Sequence, residues 1–199
     1  MKGRRSALLL VTIVACSHPS TPRYQPSDLV AIELRPADAP AGLAYVEQFS
    51  GDQDLNAFAR DDAERARLAD DGFELGNGAL FVPTDRASGG HLTARDPIVQ
   101  GTVAVFVRDE GASASLGRFL DDLRSRQLMG ATVGTPPGLG DESYRIDATN
   151  ADGATVTVLG WRDANLVLVV IGTSFAPTSV EALARLVDAR ALSTAPSGG

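Results

Sequence analysis

Residues 155–173 read TVTVLGWRDANLVLVVIGT, the strongest β-sheet pattern in the chain. Two runs rich in β-branched side chains, 155–161 and 166–173, flank Arg162-Asp163-Ala164-Asn165, which is the pattern of two strands joined by a turn. Residues 166–171 are all apolar, which is typical of a strand buried on both faces. The stretch therefore predicts a hairpin inside a β-sheet.

Five further segments of the chain carry strand patterns. Asn150-Ala151-Asp152-Gly153 is a hairpin turn between two of the strands, and a Pro-Ala-Gly turn at 40–42 separates two others. Because most links between strands are short, the predicted sheet is mainly antiparallel. These predicted strands cover residues 29–34, 43–49, 75–82, 98–108 and 142–147.

Three segments have the apolar periodicity of helices. The first follows Asp52 or Asp54 as its cap and ends at Gly72, and the second covers 113–129. The third begins with a capping box at Thr178-Ser179-Val180-Glu181. We therefore predict an α+β domain, with a mainly antiparallel sheet and three helices packed on one face. A helix followed by a hairpin occurs twice, which indicates an internal αββ duplication.

The first fifteen residues have the composition of an export signal. A basic start is followed by an apolar run of about ten residues, whereas a membrane-spanning helix needs about 20. Ile13-Val14-Ala15-Cys16 resembles the bacterial lipobox, and the resemblance implies cleavage after Ala15 and diacylglyceryl on the Cys16 thiol. The alternative is an ordinary signal peptide with a chance cysteine, which would release a soluble protein.

The signal divides the chain into four predicted segments. We expect a signal peptide at 1–15, a disordered tether at 16–28, one domain at 29–192 and a flexible tail at 193–199. Cys16 is the only cysteine, so the chain cannot form an internal disulfide. The predicted location is the extracytoplasmic side of the cell membrane or outer membrane, where the lipid on Cys16 holds the chain.

The charge balance argues against two classes of partner. The whole chain has 18 basic and 25 acidic side chains, and loss of the leader with Lys2, Arg4 and Arg5 leaves 15 basic ones. An acidic protein of this kind is not expected to bind nucleic acid, nor to bind anionic lipid through a polybasic segment. The membrane partner is therefore expected only through the lipid anchor.

Several short motifs resemble one group of bacterial domains. They are the turn at 40–42, Leu139-Gly140-Asp141-Glu142-Ser143, the hairpin at 161–167 and the end of the last helix at 186–190. Together they resemble extracytoplasmic domains of high-GC bacteria, which occur on lipoproteins or behind a membrane anchor, some of them as outer sensor parts of kinases. The resemblance covers about residues 34–192. The kinase sensor domains carry disulfides, which this chain with its single cysteine cannot form, and the resemblance implies no particular functional residue.

The residues offer little for catalysis or metal binding. His18 and His91 are the only histidines, so no zinc site built on His and Cys, and no Ser-His-Asp triad, is expected. Asp141 and Glu142 are adjacent on a strand and face opposite ways, so Asp141 is expected to bind backbone amides. Calcium at the acidic residues near 52–62 is a weaker interpretation than helix capping. We expect no cofactor and no metal.

The binding candidates are Trp161, Arg162 and Tyr144, which would line a recognition surface. The alternative places the tryptophan in the core and the arginine at a turn. We predict a non-enzymatic binding, sensing or envelope-interaction module. The alternatives are a carboxylate-based hydrolase, which two convergent acids in a cleft would favour, and a carrier of a hydrophobic ligand, which an apolar cavity would favour.

Overall fold

The computed structural model describes residues 23–125, 128–134 and 138–195. The predicted signal peptide, His18 and the proposed lipidation site Cys16 lie outside the described residues. Short 3₁₀-helices cover Pro26–Asp28, Pro36–Asp38 and Glu47–Phe49. In chain order the main elements are α1 (Leu29–Ile32), β1 (Leu43–Tyr45), β2 (Gly51–Gln53), α2 (Leu55–Phe58), α3 (Asp62–Asp71), β3 (Phe73–Pro83), β4 (Ile98–Phe106), α4 (Asp109–Ser125), β5 (Met129–Gly134), β6 (Glu142–Thr149), β7 (Thr155–Asp163), β8 (Leu166–Thr173) and α5 (Pro177–Thr194).

The eight strands form a single antiparallel sheet. Its strand order is β1-β3-β4-β8-β7-β6-β5, and β2 pairs with β3 beside β1. The hairpin predicted from residues 155–173 is β7 and β8, and its register places Asp163 opposite Leu166. Strand β8 pairs with β4 on its other side, so the hairpin lies inside the sheet.

Helices cover both faces of the sheet because β8 is apolar on both. Leu166, Leu168 and Val170 point to one face, where they pack against α1 and α5. Val167 and Val169 point to the other face, where they pack against α4. We call these the α1–α5 face and the α3–α4 face. Each face buries its own set of apolar side chains, and burial of this kind contributes roughly 25 cal/mol per Å² of apolar surface.

The expected arrangement of three helices on one face is therefore wrong. Within the described residues the chain forms five α-helices, and they lie on both sides of the sheet. A strand that is apolar at every position needs cover on both faces, because successive side chains alternate. The second helix is followed by β5 before the next hairpin, so the two αββ units expected from a duplication differ.

Two segments have a different structure from the one their composition indicates. Residues 29–34 were expected to be a strand, but α1 forms there, with Leu29 and Ile32 buried and Val30 largely exposed. A spacing of three between buried residues fits a helix and not a strand. The second helix covers Asp109–Ser125 and not 113–129, and Met129 begins an exposed edge strand.

Helix caps account for several of the acidic side chains. Asp54 accepts the backbone N–H groups of Asn56 and Ala57 at the start of α2, and Asp61 accepts that of Glu64 at the start of α3. The single first helix of the prediction is thus two helices. The capping box predicted at Thr178 is wrong, because α5 begins one residue earlier at Pro177 and has no side-chain cap.

Two further observations complete the fold. Gly72 ends α3 in the left-handed conformation, as predicted, with φ of 79°. Among the described helices, none has both the length and the apolar character needed to cross a bilayer.

Two glycines of α4 give opposite predictions for the same substitution. A Cβ at Gly111 would clash with the carbonyl oxygen of Asp71 at the end of α3, whereas a Cβ at Gly117 would enter open space. Gly111→Ala is therefore expected to lower the free energy of unfolding by about 1–3 kcal/mol. Gly117→Ala is expected to raise it by up to about 1 kcal/mol, since alanine favours a helix. Urea denaturation measures both, and equal effects of the two substitutions would contradict this packing of α3 on α4.

Candidate functional site

The three predicted binding residues do not share one surface. Trp161 points to the α1–α5 face and has no exposed surface, so it belongs to the core. Arg162 is the next residue of β7 and points to the α3–α4 face. Tyr144 of β6 lies on that same face, where it packs against the buried cluster. Only Arg162 and Tyr144 are therefore brought near one another.

Glu142 joins these two residues. The register of β6 and β7 places Glu142 opposite Arg162, and its Oε2 lies 3.6 Å from Arg162 Nε. The Tyr144 hydroxyl donates a hydrogen bond to Oε1 of Glu142, and the Ser113 hydroxyl of α4 donates to Oε2 at 3.3 Å. The carboxylate is thus held by a hydroxyl on each side and by a cation. This arrangement stabilises the junction of α4 with the sheet.

Asp141 has the backbone role predicted for it. Its Oδ2 accepts the N–H of Ala164 at 2.9 Å, and its own N–H donates to the carbonyl of Arg162 at 2.7 Å. Arg162 donates in turn to the carbonyl of Ala164 at 3.0 Å. Asp141 and Arg162 together fix the β7–β8 turn, which we call the hairpin turn (residues 163–165).

A buried polar cluster that the sequence did not predict lies at the same turn. The composition of residues 16–28 predicts a tether, but Tyr24 within that segment is packed into the domain at this turn. Tyr24 has no exposed surface, and its hydroxyl donates to Oδ2 of Asp163 at 2.6 Å. Arg23 Nη1 donates to Oδ1 of the same carboxylate at 2.7 Å. We call Arg23 and Tyr24 the N-terminal strap.

Asn165 holds the backbone of the strap. Its Oδ1 accepts the N–H of Tyr24 at 2.9 Å, and its Nδ2 donates to the carbonyl of Tyr24 at 2.9 Å. The same Nδ2 donates to the carbonyl of Phe106 at 2.7 Å. Asn165 has no exposed surface, so each of these bonds replaces water that the side chain has lost.

The pKa of the Tyr24 hydroxyl keeps this group in the form that donates a hydrogen bond to Asp163. Burial raises the pKa of the Tyr24 hydroxyl far above its usual value, and the bond to Asp163 raises it further. Tyr24 therefore stays a neutral hydrogen-bond donor over the physiological pH range. Burial also raises the pKa of Asp188, which lies on α5 near Asp163.

The carboxyl groups of Glu33 and Asp52 lie near one another at the β2 edge of the sheet, away from the hairpin turn. Asn77 is 4% exposed, and its Nδ2 donates to Oδ1 of Asp52 at 3.1 Å. Burial raises the pKa of the nearby Glu33 carboxyl, and the charge of Asp52 raises it further. No group of three metal-binding His, Cys, Asp or Glu side chains occurs in the described ranges.

Two open grooves are present on the described surface. An apolar groove of about 490 Å³ lies between α5 and the start of β4 and is lined by Val99, Phe175, Val180, Leu183 and Leu186, with Asp38 at its margin. A more polar groove of about 690 Å³ runs along β1 and the segment that follows it. Neither groove is lined by Glu33, Asp52 or Glu142. His91 lies apart from all these groups, in the exposed loop between β3 and β4.

The architecture, an antiparallel sheet with helices on both faces, is shared with a solved bacterial extracellular domain. That structure is the extracellular domain of PknH from Mycobacterium tuberculosis, which is 13% identical, with a TM-score of 0.54. The match covers 87% of this chain and 98% of the other. At this identity the similarity concerns the fold alone. No family model and no curated protein matches the chain.

The raised pKa of Glu33 predicts a pH-dependent gain in stability on its substitution. An acid whose pKa is higher in the folded than in the unfolded chain destabilises the fold while it is ionised. That penalty is present near neutral pH and disappears as pH falls through the raised pKa. Glu33→Gln is therefore expected to raise the free energy of unfolding near pH 7 and to give no gain near about pH 4.

Urea denaturation at the two pH values measures the difference. Glu74→Gln, at an exposed position of β3, is the matched control and is expected to change stability little at either pH. A lower free energy of unfolding for Glu33→Gln near pH 7 would contradict the prediction, because it would show that the ionised carboxylate stabilises the fold.

Proposed function

We propose that the protein is a lipid-anchored module on the extracytoplasmic side of a bacterial membrane, which binds or senses an envelope component without catalysing a reaction. The observation that carries the proposal is the N-terminal strap. Tyr24 is built into the core, so the part of the chain that follows Cys16 leads into a fixed point of the domain after only seven residues. We call residues 17–22, between Cys16 and the strap, the leash. A short leash with a fixed end suits a domain that works at a membrane surface.

The anchor is supported by the sequence around Cys16. Ile13-Val14-Ala15-Cys16 has the lipobox pattern, and the residues before it have the composition of an export signal. The diacylglyceryl group with a further acyl chain would hold the protein firmly, because each buried CH₂ contributes about 0.8 kcal/mol. The shared fold with an extracellular domain is compatible with this location.

The polar groups around Glu142 are bonded to one another. Glu142 is hydrogen-bonded by Tyr144 and Ser113 and lies against Arg162, so these groups stabilise one another. Ser113 has no histidine near it, because His91 is the only histidine among the described residues and lies in a distant loop. Chemistry by nucleophile and base therefore has no support here.

The hydrolase alternative has one feature in its favour and one against. Glu33 and Asp52 converge, and the pKa of Glu33 is raised, as an acid–base pair would need. The pair lines neither of the two grooves, whereas an acid–base pair needs a cleft that holds the substrate. The neighbouring Asn77 side chain donates a hydrogen bond to Asp52.

The second candidate function is carriage of a small hydrophobic ligand. The apolar groove favours it, because its volume falls in the range of small-molecule sites. The bidentate ion pair of Arg190 with Asp38, with both distances at 2.7 Å, fixes one wall of this groove. The groove is open to solvent along its length, which suits a small or partly exposed ligand better than a long acyl chain.

Lipidation is tested by replacing the proposed acceptor. In cells fed a radioactive or clickable fatty acid, the wild-type protein is expected to carry label and Cys16→Ser to carry none, because the hydroxyl does not accept the diacylglyceryl group. Ser17→Ala, at the neighbouring residue, is the matched control and should keep the label. Equal label in wild type and Cys16→Ser would defeat the proposal.

A further inference from the structure

We propose that the end of the domain containing the hairpin turn faces the bilayer, and that the opposite end faces away from it. The first is the hairpin end, formed by residues 106–109, 141 and 162–165 with the last turn of α5. The second is the loop end, formed by residues 84–97, 150–153 and 173–177. This orientation rests on the proposed lipid anchor at Cys16.

The strap fixes where the leash joins the domain. Tyr24 contacts Asp163 and Asn165 in the hairpin turn, and Asn165 also bonds to Phe106 at the end of β4. Strand β4 and strand β7 run toward this end, and β8 leaves it. The leash therefore enters at the hairpin end and not at the side of the sheet or at the loop end.

The leash is too short for the domain to turn over. Seven residue steps separate Cys16 from Arg23, and a fully extended chain spans at most about 25 Å over that length. The eight residues of β8 also span seven steps, which extend roughly 23 Å away from the hairpin turn before the loop end is reached. Beyond β8 lies the loop between β3 and β4, because Ser174 donates to the carbonyl of Arg95 at 2.8 Å. An inverted domain would therefore push this loop into the bilayer.

The surface of the hairpin end fits loose contact with lipid headgroups. Val107 is 46% exposed after β4, and Leu192 is 55% exposed on the last turn of α5, next to the Ala191 carbonyl that the Tyr24 hydroxyl approaches. Asp109 and Asp141 lie at the same end as Arg108 and Arg23, so the surface carries charges of both signs and is not a basic patch. Orientation here comes from the leash, and the apolar side chains rest at the interface without deep insertion.

The loop end is then the surface presented to partners in the envelope. Its long loop is braced, because Arg95 donates to the carbonyl of Asp152 at 2.8 Å and Asn150 donates to that of Ala94 at 2.6 Å. Between the braces and β3, His91 and Leu92 are exposed. Loops held at one end of a rigid sheet are common sites of recognition.

Paramagnetic relaxation on a lipid nanodisc tests the orientation. The chain from Cys16 onward is coupled through its single thiol to maleimide-headgroup lipid, in nanodiscs that contain lipid with a gadolinium chelate on the headgroup. The methyl groups of Val107 and Leu192 are expected to relax severalfold faster than those of Leu92 at the loop end. Equal rates, or faster relaxation of Leu92, would overturn the proposal.

A longer leash provides the matched control. Insertion of a Gly/Ser segment of about 20 residues before Arg23 adds roughly 25 Å of root-mean-square reach and should remove most of the difference. Broadening of Val107 and Leu192 that follows protein density without gadolinium would also overturn the proposal, because a second copy would then cover the hairpin end. Chemical coupling makes this test independent of acylation in cells, so failure of the fatty-acid labelling and failure of the orientation can be told apart.

Discussion

Asn165 sets the constraint on which the domain and its attachment depend. It has no exposed surface, so each polar atom of its amide must find a partner within the protein. The partners are both backbone groups of Tyr24 and the carbonyl of Phe106. One side chain thus joins the N-terminal strap, the end of β4 and the hairpin turn. Loss of any partner would leave a buried group unsatisfied, which typically costs about 1–3 kcal/mol.

Strand patterns in the sequence predict the middle of the sheet well. Alternating and apolar runs give β3, β4, β6, β7 and β8, because packing across two faces imposes the pattern. The placement of the helices is predicted less well. The apolar run at 166–171 implies helices on both faces of the sheet, whereas the short links between strands led to a prediction of helices on one face. Residues 29–34 show a second difficulty, because a short apolar run suits a strand or a helix, and the packing of Leu29 and Ile32 on α5 decides it.

The site was predictable only where partners are local. Arg162 and Tyr144 meet at Glu142 because the hairpin register brings β6 and β7 together, and that register follows from the turn at 150–153. The strap is held by hydrogen bonds between residues 139–141 positions apart in the sequence, such as those of Tyr24 with Asp163 and Asn165. No local sequence pattern predicts such contacts. Composition predicts a tether at 16–28, whereas Tyr24 is packed into the core and Arg23 is paired with Asp163. The proposed role at a membrane depends on that difference, because it shortens the leash and fixes its point of attachment.

Native-state hydrogen exchange at the amide of Tyr24 tests the central claim most directly. This N–H donates to the buried Oδ1 of Asn165, so its release requires the strap to leave the core. The account predicts that it exchanges as slowly as amides in the centre of β8, with a free energy of opening close to that of global unfolding. Exchange near the rate of an unstructured peptide would show that the strap is a free tether. It would contradict both the Asn165 contacts with Tyr24 and the orientation derived from them.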